Sequence, residues 1–361
     1  MQLKEKLAGL DMAPYRARQI YGWIFKKGIT SFGEMTDITK EDRDKLDRTF
    51  QIELLALERT VQSKEKGTSK SVFVTGDGHK IESVLMVQSS RTTVCISSQA
   101  GCPLKCVFCA TGKSGFKRNL SSGEIVSQVI HYISKGVDIS NIVFMGMGEP
   151  FLNYRSVIAA VRALNSREGM NFGIRRMTVS TCGLPLEIRK LAGEGLEINL
   201  SISLNAPNDR TRSELMPINR KFPLKELIKA VKYYIQNTNR RVTFEYVMIN
   251  GVNDTIKDAT ELAELLKGFL CHVNLIPFNP VEKSTYRPSS KERMGLFARL
   301  LARSGVNATI RKSKGSDIAA ACGQLASSRR TPVYLPAGRQ GSVGRAPRSD
   351  RGGHQQGSLP V

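Results

Sequence analysis

Long apolar runs are missing from this sequence: no stretch approaches 18 uninterrupted hydrophobic residues, which excludes a membrane-spanning helix of ordinary length. The opening residues, Met1 to Leu10, interleave charged and apolar side chains and lack the apolar run of a secretory signal. The expected compartment is therefore the reducing cytoplasm, where seven cysteines do not make a disulfide framework. Those cysteines need another account: core packing, metal or cluster ligation, or redox chemistry. Acidic residues are also in short supply. The 32 Asp and Glu face 54 Lys and Arg, leaving a formal net charge of +22. Such a balance favours a polyanionic partner such as nucleic acid, and says nothing about fold.

What is present is a chain of 361 residues, 40% of them hydrophobic, enough for one large domain or a main domain with a small attachment. No short internal repeat stands out. Residues 1–52 read as helical: Tyr15, Ile20, Trp23 and Ile24 recur at helical spacing among basic side chains, and a second amphipathic stretch runs from Ile38 to Phe50. Residues 53–91 switch to strand character, with Ser71 to Thr75 and Ile81 to Val87 flanking a Gly76-Asp-Gly78 turn. They read as a β-hairpin linker.

From residue 92 to 325 the chain alternates. Strands are expected at Thr93–Ser97, Ile142–Met145, Met177–Ser180, Ile198–Leu204, Val242–Met248, Val273–Ile276 and Ala308–Arg311. Helices are expected between them at Gly123–Ser134, Tyr154–Asn165, Leu184–Gly193, Pro223–Asn237, Ile256–Leu266 and Lys291–Ser304. This alternation predicts a parallel α/β architecture, a full or partial barrel whose chemistry sits at the C-terminal ends of the strands. The last stretch, 326–361, holds six Arg and one Asp but no Lys, Ile, Phe or Met. It lacks the apolar surface to offset the entropy of ordering, so it is expected to be a disordered basic tail.

The strongest local signal is Cys102-Pro-Leu-Lys-Cys106-Val-Phe-Cys109. Three thiolates from a single loop can converge on one site. A structural zinc usually takes four ligands, and this loop supplies three. An iron–sulfur cluster accepts cysteine thiolates readily, and three protein ligands leave one iron of a cubane open for a small molecule. A zinc site completed by a distant His or Cys is the alternative; His131 and His272 stand in no obvious ligand spacing.

This loop, with an aromatic residue just before its third cysteine, resembles the signature of the radical S-adenosylmethionine enzymes. The next strand ends in Met145-Gly-Met-Gly-Glu-Pro150, which is similar to that superfamily's Gly-Glu-Pro element. Cys95-Ile-Ser-Ser-Gln-Ala-Gly-Cys102, the Gly115-to-Leu120 run, Val179-Ser-Thr181, Ser203-Leu-Asn-Ala-Pro-Asn-Asp209 and Ala320-Ala-Cys-Gly-Gln-Leu325 narrow the resemblance to the RlmN subgroup. It covers residues 10–325. The resemblance implies a partial (β/α)6-type radical SAM barrel over 92–325, with a β-hairpin extension and a small helical accessory domain that contributes to RNA binding.

It further implies a monomeric methyltransferase, with no membrane association, acting on C2 of adenosine in 23S ribosomal RNA and in transfer RNA, 3′ of the anticodon. Cys102, Cys106 and Cys109 would hold one [4Fe-4S] cluster. Gly148, Glu149, Ser180, Ser203, Leu204, Asn205 and Asn279 would bind S-adenosylmethionine, two of which are used per turnover. Electrons would come from a donor such as flavodoxin. Cys322 would carry the methyl group, Glu82 would remove the C2 proton, and Cys95 would resolve the transient protein–RNA bond by forming a disulfide.

One departure is Asn205, where the family usually reads His; Asn can still hydrogen-bond a ribose hydroxyl but cannot carry a proton near neutral pH. On pattern alone Cys95, alternating with apolar neighbours, reads as a core thiol. Cys322 sits among small residues where a thiol can move. Glu82 by default would face solvent; buried, it would make a usable base near neutral pH. Cys182 and Cys271 match no functional position and read as structural. The related group that methylates adenosine C8 shares the cluster, the Gly-Glu-Pro element and the paired cysteines, and a radical enzyme with another substrate is the more distant alternative.

Overall fold

The computed structural model describes residues 2–52, 55–282 and 284–326. The N-terminal segment folds as α1 (Gln2–Ala8), α2 (Arg16–Tyr21) and α3 (Lys40–Thr49) around its own small core of Leu7, Ile20, Met35 and Leu46. Thr39 caps α3 by accepting the Asp42 N–H. Of the residues singled out for helical spacing, Ile20 is buried, while Tyr15 points outward and is 60% exposed.

Four antiparallel strands follow: β1 (Ala56–Gln62), β2 (Thr68–Val74), β3 (Lys80–Gln88) and β4 (Arg91–Cys95). A short pair, β5 (Gln99–Gly101) and β6 (Phe116–Asn119), stands apart as a second sheet. Then come β7 (Asn141–Phe144), β8 (Met177–Thr181), β9 (Asn199–Ser203), β10 (Val242–Met248), β11 (Cys271–Pro277) and β12 (Ala308–Ile310). These join β4 in parallel, giving one ten-stranded sheet ordered β1-β2-β3-β4-β7-β8-β9-β10-β11-β12. Among the described residues β12 forms no ladder with β1, so the barrel is partial.

The helices are α4 (Ala110–Lys113), α5 (Ser122–Ile133), α6 (Tyr154–Asn165), α7 (Pro185–Ala192), α8 (Asp209–Leu215), α9 (Leu224–Thr238), α10 (Ile256–Leu266) and α11 (Lys291–Arg303). Their boundaries are written in the sequence. Ser121 with Glu124, and Thr255 with Asp258, form capping boxes that start α5 and α10. Asn239, at φ 50°, takes the left-handed conformation that stops α9. In β10, Val242, Phe244, Tyr246 and Met248 are buried against helices, while Thr243, Glu245 and Val247 alternate onto the barrel's interior face.

The seven expected strands are all present within two residues of their expected ends, and the six expected helices within one. The short elements α4, α8, β5 and β6 were not anticipated. The tail expected over 326–361 lies outside the described residues except for Ala326. That residue is buried and donates its N–H to Glu82, so the packed chain reaches at least Ala326. No helix among the described residues is long and apolar enough to cross a membrane.

Candidate active site

The parallel strands deliver their polar side chains to one rim of the barrel. β4 ends at Cys95, and the chain then crosses β5 into the three-cysteine loop. At Gly101, φ 78° and the closeness of the Gly115 carbonyl oxygen exclude any side chain. Lys105 also takes a left-handed conformation, at φ 55°, which turns the loop back on itself. Cys106 accepts the Cys109 N–H at 3.1 Å, and Cys109 sits immediately before α4.

Cys102, Cys106 and the half-buried Cys109 share one apolar cluster with Leu215, Met216 and Phe278. Burial pushes the Cys102 and Cys109 thiols up, and the charge of neighbouring Cys106 pushes both in the same direction. Such thiols ionise when a metal takes the place of their protons. Among the described residues no three His, Cys, Asp or Glu side chains are gathered tightly enough to grip a single metal ion. Both histidines considered for a zinc site are elsewhere: His131 packs between Phe73 and Tyr132, and His272 Nε2 pairs with Thr309 Oγ1 at 2.9 Å. An all-thiol loop of this kind fits a cluster, in which each cysteine binds a different iron.

Gly148 and Glu149 follow β7. Gly148, at φ 102°, lies so close to Gln99 that a Cβ would come within 2.5 Å of that side chain. Gln99 Oε1 in turn accepts the Glu149 N–H at 2.8 Å. The Glu149 carboxylate is buried and accepts backbone N–H groups from Phe151 at 3.0 Å and Cys182 at 2.7 Å, tying the ends of β7 and β8 together. Burial raises its pKa, and those hydrogen bonds oppose the rise.

Ser180 and Ser203 lie on the interior face of β8 and β9. Leu204 is sealed in the core, its N–H donated to Glu245 O and its carbonyl accepting Arg212 Nε. Asn205, at φ 61°, takes a backbone conformation that Asn tolerates well. Its Oδ1 accepts the Val247 N–H at 2.9 Å and its Nδ2 meets Met216 Sδ at 3.2 Å. Asn279, just past β11, donates to the carbonyl oxygen of Cys322.

Cys322 lies in the last described segment, and that segment is docked onto the cysteine loop. Ala110 N–H donates to Gly323 O at 2.7 Å, and the Thr111 hydroxyl to Leu325 O at 2.7 Å. Cys322 is exposed and Cys95 buried, and both are free thiols. Burial pushes the Cys95 thiol up, and the nearby charge of Cys322 adds to the effect. In β3, Ser83 turns to the helix side, where its hydroxyl pairs with Tyr132 OH at 2.7 Å. Glu82 and Val84 therefore face the other way, and Val84 is the register partner of Cys95. Glu82 is thus on the same face as Cys95 and only 1% exposed, not solvent-facing as the pattern alone suggested.

Three residues escaped the sequence reading. Lys70, on β2, is fully buried and pairs with Glu82 at 3.2 Å. A charged residue at the same strand parity as Glu82's apolar neighbours was the available signal. Cys182, read as structural, packs against the three-cysteine cluster, a placement only the fold reveals. Arg212, on α8, is fully buried, and its guanidinium donates to neutral oxygens alone: Leu204 O, Cys182 O, Ser203 O and Asn219 Oδ1. Burial lowers its pKa, against the opposing influence of Cys182, Cys106 and Asp209.

A family model for the radical SAM superfamily matches residues 96–266, and one for the ribosomal RNA large subunit methyltransferase N-terminal domain matches residues 1–52. A Thermotoga neapolitana protein described as a probable dual-specificity RNA methyltransferase RlmN is 48% identical over 330 residues, 91% of this chain and 96% of that protein. A Bacillus licheniformis protein of the same description is 46% identical over 334 residues, 91% and 92% of the two chains. The crystal structure of a radical SAM methyltransferase from Sphaerobacter thermophilus superposes with a TM-score of 0.87 at 48% identity, covering 90% of this chain and 96% of that one.

Proposed function

Because this chain belongs to the RlmN family of radical SAM RNA methyltransferases, we propose that it methylates C2 of adenosine in 23S ribosomal RNA and in transfer RNA 3′ of the anticodon, through a methylated cysteine and a transient protein–RNA bond. The observation that carries this reading is the docking of the Cys322 segment onto the three-cysteine loop, with Glu82 and Cys95 on the facing sheet.

Cys102, Cys106 and Cys109 would hold a [4Fe-4S] cluster, and Gly148, Glu149, Ser180, Ser203, Leu204, Asn205 and Asn279 would line the S-adenosylmethionine site. Together cluster and S-adenosylmethionine supply a methyl group and a one-electron cleavage that yields a carbon radical, with a second S-adenosylmethionine completing the turnover. Radical chemistry suits this substrate, since adenine C2, between two ring nitrogens, is too electron-poor to attack a sulfonium methyl. Gly148 lets the backbone approach a ligand where a side chain would collide with Gln99. Glu149 keeps acceptor capacity for an ammonium group beyond its two backbone bonds.

Cys322 accepts the methyl group on its sulfur and presents the derived methylene carbon to adenine C2. Glu82 takes the proton from C2. Cys95 attacks the bridging sulfur, releasing methylated RNA as the Cys95–Cys322 disulfide forms. The basic chain and its helical N-terminal domain, proposed as 1–52, supply the sequence-independent attraction for RNA, and the hairpin linker (53–91), core (92–325) and tail (326–361) complete the proposed organisation. A flavodoxin-type reductant, a monomeric state and a cytoplasmic location complete the proposal.

The deciding experiment is anaerobic turnover with RNA, followed by nuclease digestion and identification of the methylated nucleoside by mass and chromatography. 2-Methyladenosine supports the reading. 8-Methyladenosine places the chain with the C8 group, and no RNA product with intact cluster overturns the reading.

A further inference from the structure

The segment that carries Cys322 is fastened at both ends to one buried ion pair. Lys70 Nζ lies 3.2 Å from Glu82 Oε1 and donates to Ala319 O at 3.2 Å. Glu82 Oε2, the other carboxylate oxygen, accepts the Ala326 N–H at 2.9 Å. Lys70 is 0% and Glu82 1% exposed. Ala319 is held at φ 51°, a left-handed conformation unfavourable for alanine, so the segment is under local strain where the lysine grips it.

A buried ion pair is a poor way to gain stability. Desolvation of two charges offsets most of their attraction, and apolar residues of like volume would hold the strands at least as well. The pair's useful property is that it depends on charge. Each oxygen of Glu82 has a partner, Oε1 the Lys70 ammonium in the ion pair and Oε2 the Ala326 N–H, one on each side of the latch. The carboxylate that would receive the C2 proton thus also helps to hold the ends of the Cys322 segment, beside the bonds that Ala110, Thr111 and Asn279 make to its middle.

We propose that Lys70 is a positioning residue, and that the Lys70–Glu82 pair is a latch which proton uptake at Glu82 opens, freeing residues 319–326 to carry the Cys322 sulfur to Cys95. This rests on the assignment of Glu82 as the proton acceptor. The C2 proton moves to Glu82, and the electrons of the broken C–H bond stay with the purine. The pair then changes from cation and anion to cation and neutral acid. Lys70 loses its attraction to the carboxyl, and a neutral acid accepts the Ala326 N–H more weakly than a carboxylate does. The two thiols are unbonded in this structure, Cys95 buried and Cys322 exposed, and the latch assigns to the exposed one the movement that joins them. Deprotonation of the substrate and resolution of the bridge are thereby ordered: the thiol exchange follows the proton.

Hydrogen exchange on the full-length, anaerobically reconstituted enzyme tests this without turnover. Glu82→Gln keeps the shape and removes the charge, imitating the protonated acid. Amides of residues 319–326 should exchange about tenfold faster than in the wild type, while those of β8 to β10 stay unchanged. Lys70→Met should give the same local loosening, and Lys70→Arg should restore most of the protection. Should Lys70→Met fail to fold, the double variant Lys70→Met/Glu82→Leu replaces the pair with apolar side chains. It removes both charged contacts to Ala319 and Ala326, so amides of 319–326 should again exchange about tenfold faster than in the wild type, and wild-type protection there overturns the latch.

Wild-type protection of 319–326 in Glu82→Gln overturns the latch. The two failures are separable. Normal turnover by Glu82→Gln removes Glu82 as the proton acceptor. Blocked turnover, with an accumulated RNA adduct and an unloosened segment, keeps that assignment and refutes the latch alone.

Discussion

Asn279 Nδ2 donates to the carbonyl oxygen of Cys322 at 3.1 Å, joining the end of β11 to a residue far beyond it in the chain. With Gln324 Nε2 bonded to Pro280 O at 2.9 Å, this contact sets the exposed thiol over the rim of the barrel. Cys95, at the end of β4, lies near enough to feel the charge of Cys322.

Replacement of the two thiols should therefore have different consequences. Cys322→Ala removes the methyl acceptor, so neither methylated protein nor methylated RNA should form. Cys95→Ala should still couple to adenine but fail to release it, accumulating a covalent adduct seen as a nuclease-sensitive mobility shift on a denaturing gel. Free methylated RNA at the wild-type rate from Cys95→Ala would return that residue to a purely packing role.

Alanine at Cys102, Cys106 or Cys109 should each abolish iron and sulfide retention after anaerobic reconstitution, together with turnover. Stoichiometric zinc and no iron in the wild type would sink the cluster assignment.

Gly148→Ala should be damaging in a specific way. Its φ of 102° and the Gln99 side chain within 2.5 Å of the added Cβ force the turn after β7 to move. Backbone strain alone costs about 1–3 kcal/mol. S-adenosylmethionine affinity, measured by isothermal titration, should fall more than the melting temperature implies; equal losses would make the glycine a folding residue only.

His131 predicts an acid-side loss of stability. Burial, reinforced by the Lys135 charge, lowers its pKa to about 4 from 6.5, and its Nε2 is buried without a hydrogen-bond partner. The unfolded chain takes up a proton below pH 6.5 that the folded one refuses, so stability is complete above 6.5 and falls as pH drops toward 4. His131→Phe should flatten urea-unfolding free energies between pH 6.5 and 4.5. An unchanged slope in that variant assigns the acid sensitivity to other groups.

Chain length near the end matters to one residue. A protein ending at Leu325 loses the Ala326 N–H that Glu82 accepts, leaving a buried carboxylate oxygen short of a donor at a cost of about 1–3 kcal/mol. One ending at Ser328 keeps that bond. Thermal unfolding should separate the two, with only the shorter chain destabilised.

The architecture was legible because its elements carry local signals. Capping boxes at Ser121 and Thr255 and the alternation along β10 announce themselves within a few residues. The three-cysteine loop was equally plain, being a spacing within one turn of chain. α8, Asp-Arg-Thr-Arg-Ser-Glu-Leu, was not, since its polar sequence hides a helix that buries Arg212. Lys70 was invisible for a related reason. A lysine in a strand reads as solvated until the partner strand shows that Glu82 sits two residues from its register partner Val84, on the same face. The pairing of Cys95 with Cys322 came from resemblance to a family and from no local pattern, because the contacts that dock the Cys322 segment, Lys70 with Ala319 and Glu82 with Ala326, join positions 249 and 244 residues apart.

That long closure has a consequence for how the protein is made. β3 and β4 emerge from the ribosome early, and every parallel strand follows in spatial order, so each can add to the edge left by the one before. The segment bearing Cys322 emerges after every strand, and its docking sites on α4, on the chain past β11 and on β3 exist only once those elements have folded. During synthesis Cys95 is thus without its partner thiol until all twelve strands have been made, and the two can meet only after the Cys322 segment docks.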